Sequence, residues 1–117
     1  MNDNSEFLLK LLHEYQKDKL EDKYNLILRT LKKSEVYVNK MNFLITIESD
    51  GKHHFPIYLS LSDEEKKSRF YDKIEVETLL GIVERENKES DYKIDDLWLE
   101  HKSKDNLVIK LDEIINI

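Results

Sequence analysis

Residues 43–61 read FLITIESDGKHHFPIYLSL, and the dipeptide Asp50-Gly51 at the centre decides how the rest folds. Both residues tolerate the positive φ that a two-residue hairpin turn demands, so Ser49-Asp50-Gly51-Lys52 predicts a tight β-turn. The apolar, β-branched and aromatic residues on either side predict one strand over Phe43 to Ile47 and a returning strand over Phe55 to Leu61. Pro56, the only proline, has no N–H to give a ladder, which predicts a strand start or a sheet edge. His53 and His54 are neighbours, so on an extended chain they point to opposite faces and cannot share one metal ion. The pair therefore reads as the exposed tip of a hairpin, beside Asp50, rather than as a metal site.

Working back from the hairpin, Val36, Tyr37 and Val38 predict a further short strand. Before Ser34 the period is helical. Phe7, Leu8, Leu11, Leu12 and Tyr15 fall on one stripe, with Asn4 or Ser5 as cap, and Leu20, Tyr24, Ile27, Leu28 and Leu31 fall on another. These predict two helices forming a helical hairpin. Working forward, Ser62-Asp63-Glu64-Glu65 is a cap followed by acids in the first turn, which predicts a short helix to about Tyr71. Ile74 to Val76 reads as a brief strand, and Val76, Leu79, Leu80 and Val83 as a helix interrupted by Gly81. The polar run Glu84 to Lys93 reads as an exposed loop. Leu97 to Leu99 and Leu107 to Ile109 flank Ser103 to Asn106 as a second hairpin, and Leu111 to Ile117 as a closing helix. The class predicted is α+β: an N-terminal helical hairpin, then a mainly antiparallel sheet with interspersed helices, in one domain over residues 1–117.

Charge narrows the partners. The chain has 25 acidic and 19 basic side chains, a net −6. Phosphate backbones are bound by Lys and Arg displacing counterions, so nucleic acid is not an expected partner, whereas a basic protein is. No cysteine is present, which removes disulfides, thiol catalysis and thiolate metal sites. The opening MNDNSEFLLKLLHEY has no signal-peptide pattern, and no apolar run nears the ~20 residues that cross a bilayer. The expectation is a cytoplasmic protein without a membrane partner.

Catalytic patterns are missing from the sequence. There is no G-x-S-x-G elbow, and two glycines are too few for a phosphate-cradling loop. The acid pairs Glu64-Glu65, Asp95-Asp96 and Asp112-Glu113 are what so acidic a chain produces by chance, and His13 and His101 stand alone. We expect no catalytic residue, no metal and no cofactor. Trp98 lies between Leu97 and Leu99, so a strand there turns the indole to one face and both leucines to the other. Aromatic side chains on a sheet face make good interface anchors. With the preference of function for loops on a rigid scaffold, this points to a candidate protein-binding surface made of Asp50, His53, His54, Tyr58, Tyr92, Asp95, Asp96 and Trp98.

Three segments together resemble the N-terminal domain of the SseB (enhanced serine sensitivity) family. They are Ser34-Glu35-Val36-Tyr37-Val38 after two leading helices, Asp50-Gly51 followed by Pro56-Ile57-Tyr58-Leu59-Ser60, and Asp105-Asn106-Leu107-Val108-Ile109 before a final short helix. One departure is Glu100-His101, where that family often has Asn-Pro. The resemblance implies a small bacterial cytoplasmic domain that works by contact with other proteins. The corresponding expectation is a non-enzymatic interaction module, in its sharper form an immunity-type inhibitor of a toxin. The alternative is an SseB-like housekeeping protein with a small-molecule or weak enzymatic role assembled from residues distant in sequence.

Overall fold

The computed structural model describes residues 4–91 and 93–117. Two helices lead, α1 (Ser5–Asp18) and α2 (Glu21–Lys32), and fold back on each other with Tyr15 and Tyr24 ring to ring at 5.7 Å. Leu8, Leu11 and Leu12 of α1 and Ile27, Leu28 and Leu31 of α2 go into the core. Phe7, expected on that stripe, is instead 48% exposed. Asn4 occupies the cap position of α1 without a capping bond; its amide reaches Ser34 Oγ at 3.0 Å and ties the helix start to the first strand.

The strands are β1 (Glu35–Asn39), β2 (Ile47–Ser49), β3 (Lys52–Ile57), β4 (Tyr71–Glu75), β5 (Asp96–Leu99) and β6 (Leu107–Lys110). The β2–β3 hairpin turns at Asp50 (φ 53°) and Gly51 (φ 76°), both left-handed as a two-residue turn requires. The β5–β6 hairpin forms as expected. β2, β3, β5 and β6 make one sheet in that order, with β3 and β5 parallel, while β1 and β4 pair antiparallel. Tyr37 and Tyr58 exchange backbone bonds of 2.8 and 2.9 Å and join the two sheets.

That junction explains Pro56, which lies inside β3 rather than at a start or outer edge. His53 O and Ile57 O accept from Asp95 N and Glu100 N of the β5 segment, so the odd residues of β3 bond toward β5 and the even ones point away. On the even side His54 pairs with Ile47, Tyr58 pairs with Tyr37, and Pro56 falls in the gap where β2 has ended and β1 begins. A missing N–H costs nothing there.

The remaining helices are α3 (Asp63–Lys67), α4 (Val76–Glu89) and α5 (Leu111–Ile115). Ser62 caps α3 with a reciprocal bond to Glu65. α3 stops at Lys67, and the chain from Tyr71 is already β4, which begins before the expected Ile74 and ends before Val76. The expected strand over Phe43 to Ile47 survives only from Ile47. A 3-10 turn occupies Lys40–Phe43, started by the Asn39 side chain accepting from Met41 N at 3.0 Å. The expected loop over Glu84 to Lys93 is mostly helix, since α4 runs on to Glu89. Glu, Arg and Lys favour helix intrinsically, and this part of α4 needs no apolar stripe once Val76, Leu79, Leu80 and Val83 anchor its first half.

One core lies between the sheet and α1, α2, α4 and α5. Val36, Val38, Phe55, Ile57, Leu97, Leu99 and Ile109 enter it from the strands. The α+β architecture stands, with one parallel pair at its centre.

Candidate functional site

Alternation along β3 and β5 sends Phe55, Ile57, Leu97 and Leu99 inward, all 0% exposed, and turns His54, Pro56, Asp96 and Trp98 to the opposite face. The division of Trp98 from its two leucines is the one read from sequence. Of the described residues on this second face, none belongs to the hydrophobic core into which α1, α2, α4 and α5 pack. A sheet face that does not pack on the core is ordinarily polar. Here it carries rings in series: His54 to Trp98 at 5.1 Å, Trp98 to His101 at 5.5 Å, His101 to Tyr58 at 5.6 Å, and Tyr58 to Tyr71 at 5.8 Å. Tyr37 adjoins them on β1, with Lys73 Nζ 5.4 Å from its ring centre.

Polar bonds fix these rings. His54 Nδ1 bonds Asp96 Oδ1 across the parallel pair. Trp98 Nε1 donates to Asn106 Oδ1 at 3.1 Å, and Tyr58 OH lies 2.9 Å from His101 Nε2. Glu100 ends β5 in a left-handed conformation (φ 53°) and turns its carboxylate back to accept from Leu59 N at 2.9 Å. A residue with a Cβ is strained there; the bond to Leu59 holds it and brings His101 over Tyr58. Glu65 of α3 borders the same cluster, accepting from Ser62 N at 2.9 Å and facing Lys102 Nζ at 3.6 Å.

The surroundings shift several groups. Burial pushes the Tyr58 hydroxyl up to about 12, with the charges of Tyr71, Glu65 and Glu100 adding to it. Burial raises the Glu100 carboxyl, against the pull of the Leu59 and Ser60 backbone. Burial, then the neighbouring Lys102 charge, lowers His101 and favours neutral imidazole. Glu65 is held below the ordinary carboxylate range, first by the Ser62 backbone N–H and also by Tyr71 and Lys102. Near neutral pH the cluster therefore combines a neutral imidazole, a neutral phenol and a carboxylate within one network.

The eight residues read from sequence separate in space. His54, Tyr58, Asp96 and Trp98 come together on this second face, Trp98 half-buried and the other three buried. Asp50 stays exposed at the turn. Asp95 accepts from His53 N at 2.8 Å, so its carboxylate braces the strand pairing. Tyr92 lies outside the described residues. The exposed-tip reading of the histidines is corrected: His53 is half-buried and His54 is 7% exposed. β3 is an inner strand, and its parallel neighbour places Asp96 against His54. Tyr58 is likewise buried, at 6% exposed, under the His101 loop. Sequence reasoning misses Glu65, Tyr71, Glu100 and His101 as site residues. The available signal was Glu100-His101 directly after an apolar strand, two polar groups where a plain turn would serve.

Among the described residues no three His, Asp or Glu side chains converge as metal ligands. No described helix is long and apolar enough to cross a membrane. No family model, curated protein or solved structure matches this chain at a significant level.

Proposed function

We propose that this domain is a non-enzymatic protein-binding module, cytoplasmic and SseB-like, that contacts a basic protein partner through the half-buried rings, Trp98 and His101 among them, on the sheet face opposite the core. The immunity-type form of this reading has the contact block a toxin. The observation that carries it is the ring series from His54 through Trp98 and His101 to Tyr71, on the face of the sheet opposite the hydrophobic core. Aromatic side chains held by hydrogen bonds lose little entropy on binding and act as anchors. A net charge of −6 favours encounter with a basic partner. The segments that resemble the SseB family also supply the joints of this face, since Tyr37 and Tyr58 bridge the sheets.

The test is quantitative affinity capture from host lysate at low and physiological salt, comparing the wild type with Trp98→Ala. The expected result is one basic protein enriched by the wild type, weakened by salt and lost with Trp98→Ala. Capture that does not depend on Trp98 would sink the reading.

A second reading is favoured by the Tyr58–His101 contact beside Glu65 and Glu100, where shifted groups gather as they do around reactive centres. In that reading the domain has a small-molecule or weak enzymatic role. A thermal-shift screen of small metabolites separates the two, because a ligand of this cluster stabilises the wild type and not His101→Ala.

A further inference from the structure

A second surface, away from the ring series, is apolar without serving the core. Leu44 is 75% exposed and its neighbour Ile45 67%, with Met41 of the same turn at 44%. Beside them lies a groove of about 210 Å³ between this turn and α4, lined by Phe43, Leu44, Ile82, Val83, Glu86 and Ile94 among others. Its floor is firm, because Phe43 packs on the buried Phe55 ring at 4.9 Å. An apolar cavity of ~150 Å³ can hold a benzene ring, so the groove has room for one large side chain or two small ones.

We propose that this groove docks an amphipathic helix from a partner protein, its apolar stripe against Leu44, Ile45 and Ile82 and its flank basic. Three features select that occupant. The backbone of the turn is already used: Leu44 N and Ile45 N both donate to Met41 O at 3.0 Å, and Asn42 Nδ2 donates to Ile45 O at 2.9 Å. These bonds take up part of the turn's backbone, and recognition at the turn rests on its exposed side chains. The groove follows α4 from Ile82 to Ser90, about 12 Å at the helical rise, which matches an i to i+7 stripe laid alongside. The charged side chain in the lining is Glu86, and a basic flank complements it. A second copy of this chain would bring its own −6 charge against Glu86. This surface is independent of the ring-bearing sheet face.

The test uses three labelled peptides of about 18 residues, long enough to hold a helix. One has a leucine stripe with lysine and arginine flanks, one the same stripe with glutamate flanks, and one is a scramble of the first. Binding is read by fluorescence anisotropy and located by methyl NMR. The expected result is that the basic peptide binds at least about ten-fold more tightly than the other two and shifts the Leu44, Ile45 and Ile82 methyls. Leu44→Ser/Ile45→Ser should weaken it by about ten-fold or more, the effect of losing one good anchor. Glu86→Lys should narrow the preference for the basic flank. Both changes are at exposed positions, and circular dichroism checks that the fold is kept. Equal binding of all three peptides, or binding indifferent to Leu44→Ser/Ile45→Ser, overturns the proposal. So does a wild-type dimer that becomes monomeric in that double variant, which would make the occupant a second copy. Binding lost with Trp98→Ala but kept in the serine variant moves the contact to the sheet face, overturning the groove and leaving the other reading intact.

Discussion

His54 and Asp96 bond side chain to side chain across the parallel β3–β5 pair, at 7% and 3% exposure. Buried polar partners cost most when one is removed and the other is left. Asp96→Ala should therefore destabilise the domain by about 3 kcal/mol, whereas a paired apolar replacement, His54→Phe with Asp96→Leu, should recover most of that loss. Urea denaturation followed by the fluorescence of Trp98, the only tryptophan, measures both. A single Asp96→Ala change costing under half a kilocalorie would remove the pair from the list of specific contacts.

Pro56 faces the gap between the end of β2 and the Tyr37–Tyr58 bridge. Pro56→Val restores a strand-favouring side chain but adds an N–H with no ladder partner. Despite the better β-propensity, the variant should lose about 1–2 kcal/mol, the cost of an unsatisfied buried donor. Equal or greater stability in the same urea assay would mean that a partner is available in the gap.

His101 is held below its ordinary pKa, by burial first. The unfolded chain then binds a proton near pH 6.5 that the folded chain takes up only at lower pH, so stability contributed by this group is present above 6.5 and lost as pH falls below it. Melting curves of wild type and His101→Gln between about pH 8 and 5 should converge toward the acid end, with the wild type ahead at neutral pH. Parallel curves would show that His101 does not titrate differently on folding.

The two glycines should respond with opposite signs. Gly51 sits at φ 76° in the hairpin turn, where an added Cβ is strained whatever the space around it. Gly51→Ala should cost about 1 kcal/mol. Gly81 lies within α4, and a Cβ there would meet nothing within 4 Å. Gly81→Ala should stabilise by about 1 kcal/mol, the helix-propensity difference. Thermal melts of the two variants side by side check both signs.

Most of the fold was legible where local signals agreed with each other. Asp50-Gly51 located its hairpin, Ser62 with Glu65 located its helix start, and the alternation of Leu97, Trp98 and Leu99 sorted the core face from the opposite one. The polar second half of α4 was misread because a helix exposed on most sides has no apolar period to reveal it. The burial of His54 was hidden for a different reason. Adjacent histidines beside a turn look solvent-exposed until it is known that the strand lies inside the sheet, and the parallel neighbour that places it there comes 42 residues later. The Tyr58–His101 contact, 43 residues apart, was beyond reading for the same reason.

That same parallel pairing sets an order of events during folding. The β2–β3 hairpin closes through a two-residue turn and needs only its neighbours. β5 can join β3 only after the chain has travelled through α3, β4 and α4, so closing that loop carries an entropic cost the hairpin does not meet. The β2–β3 ribbon should accordingly protect its amides early in refolding, while the His54–Asp96 bond and the ring series built on β5 arrive late. Until then both strand edges of β3 beyond the hairpin are bare, and Pro56, unable to donate on one of them, leaves a stray strand one fewer bond with which to pair.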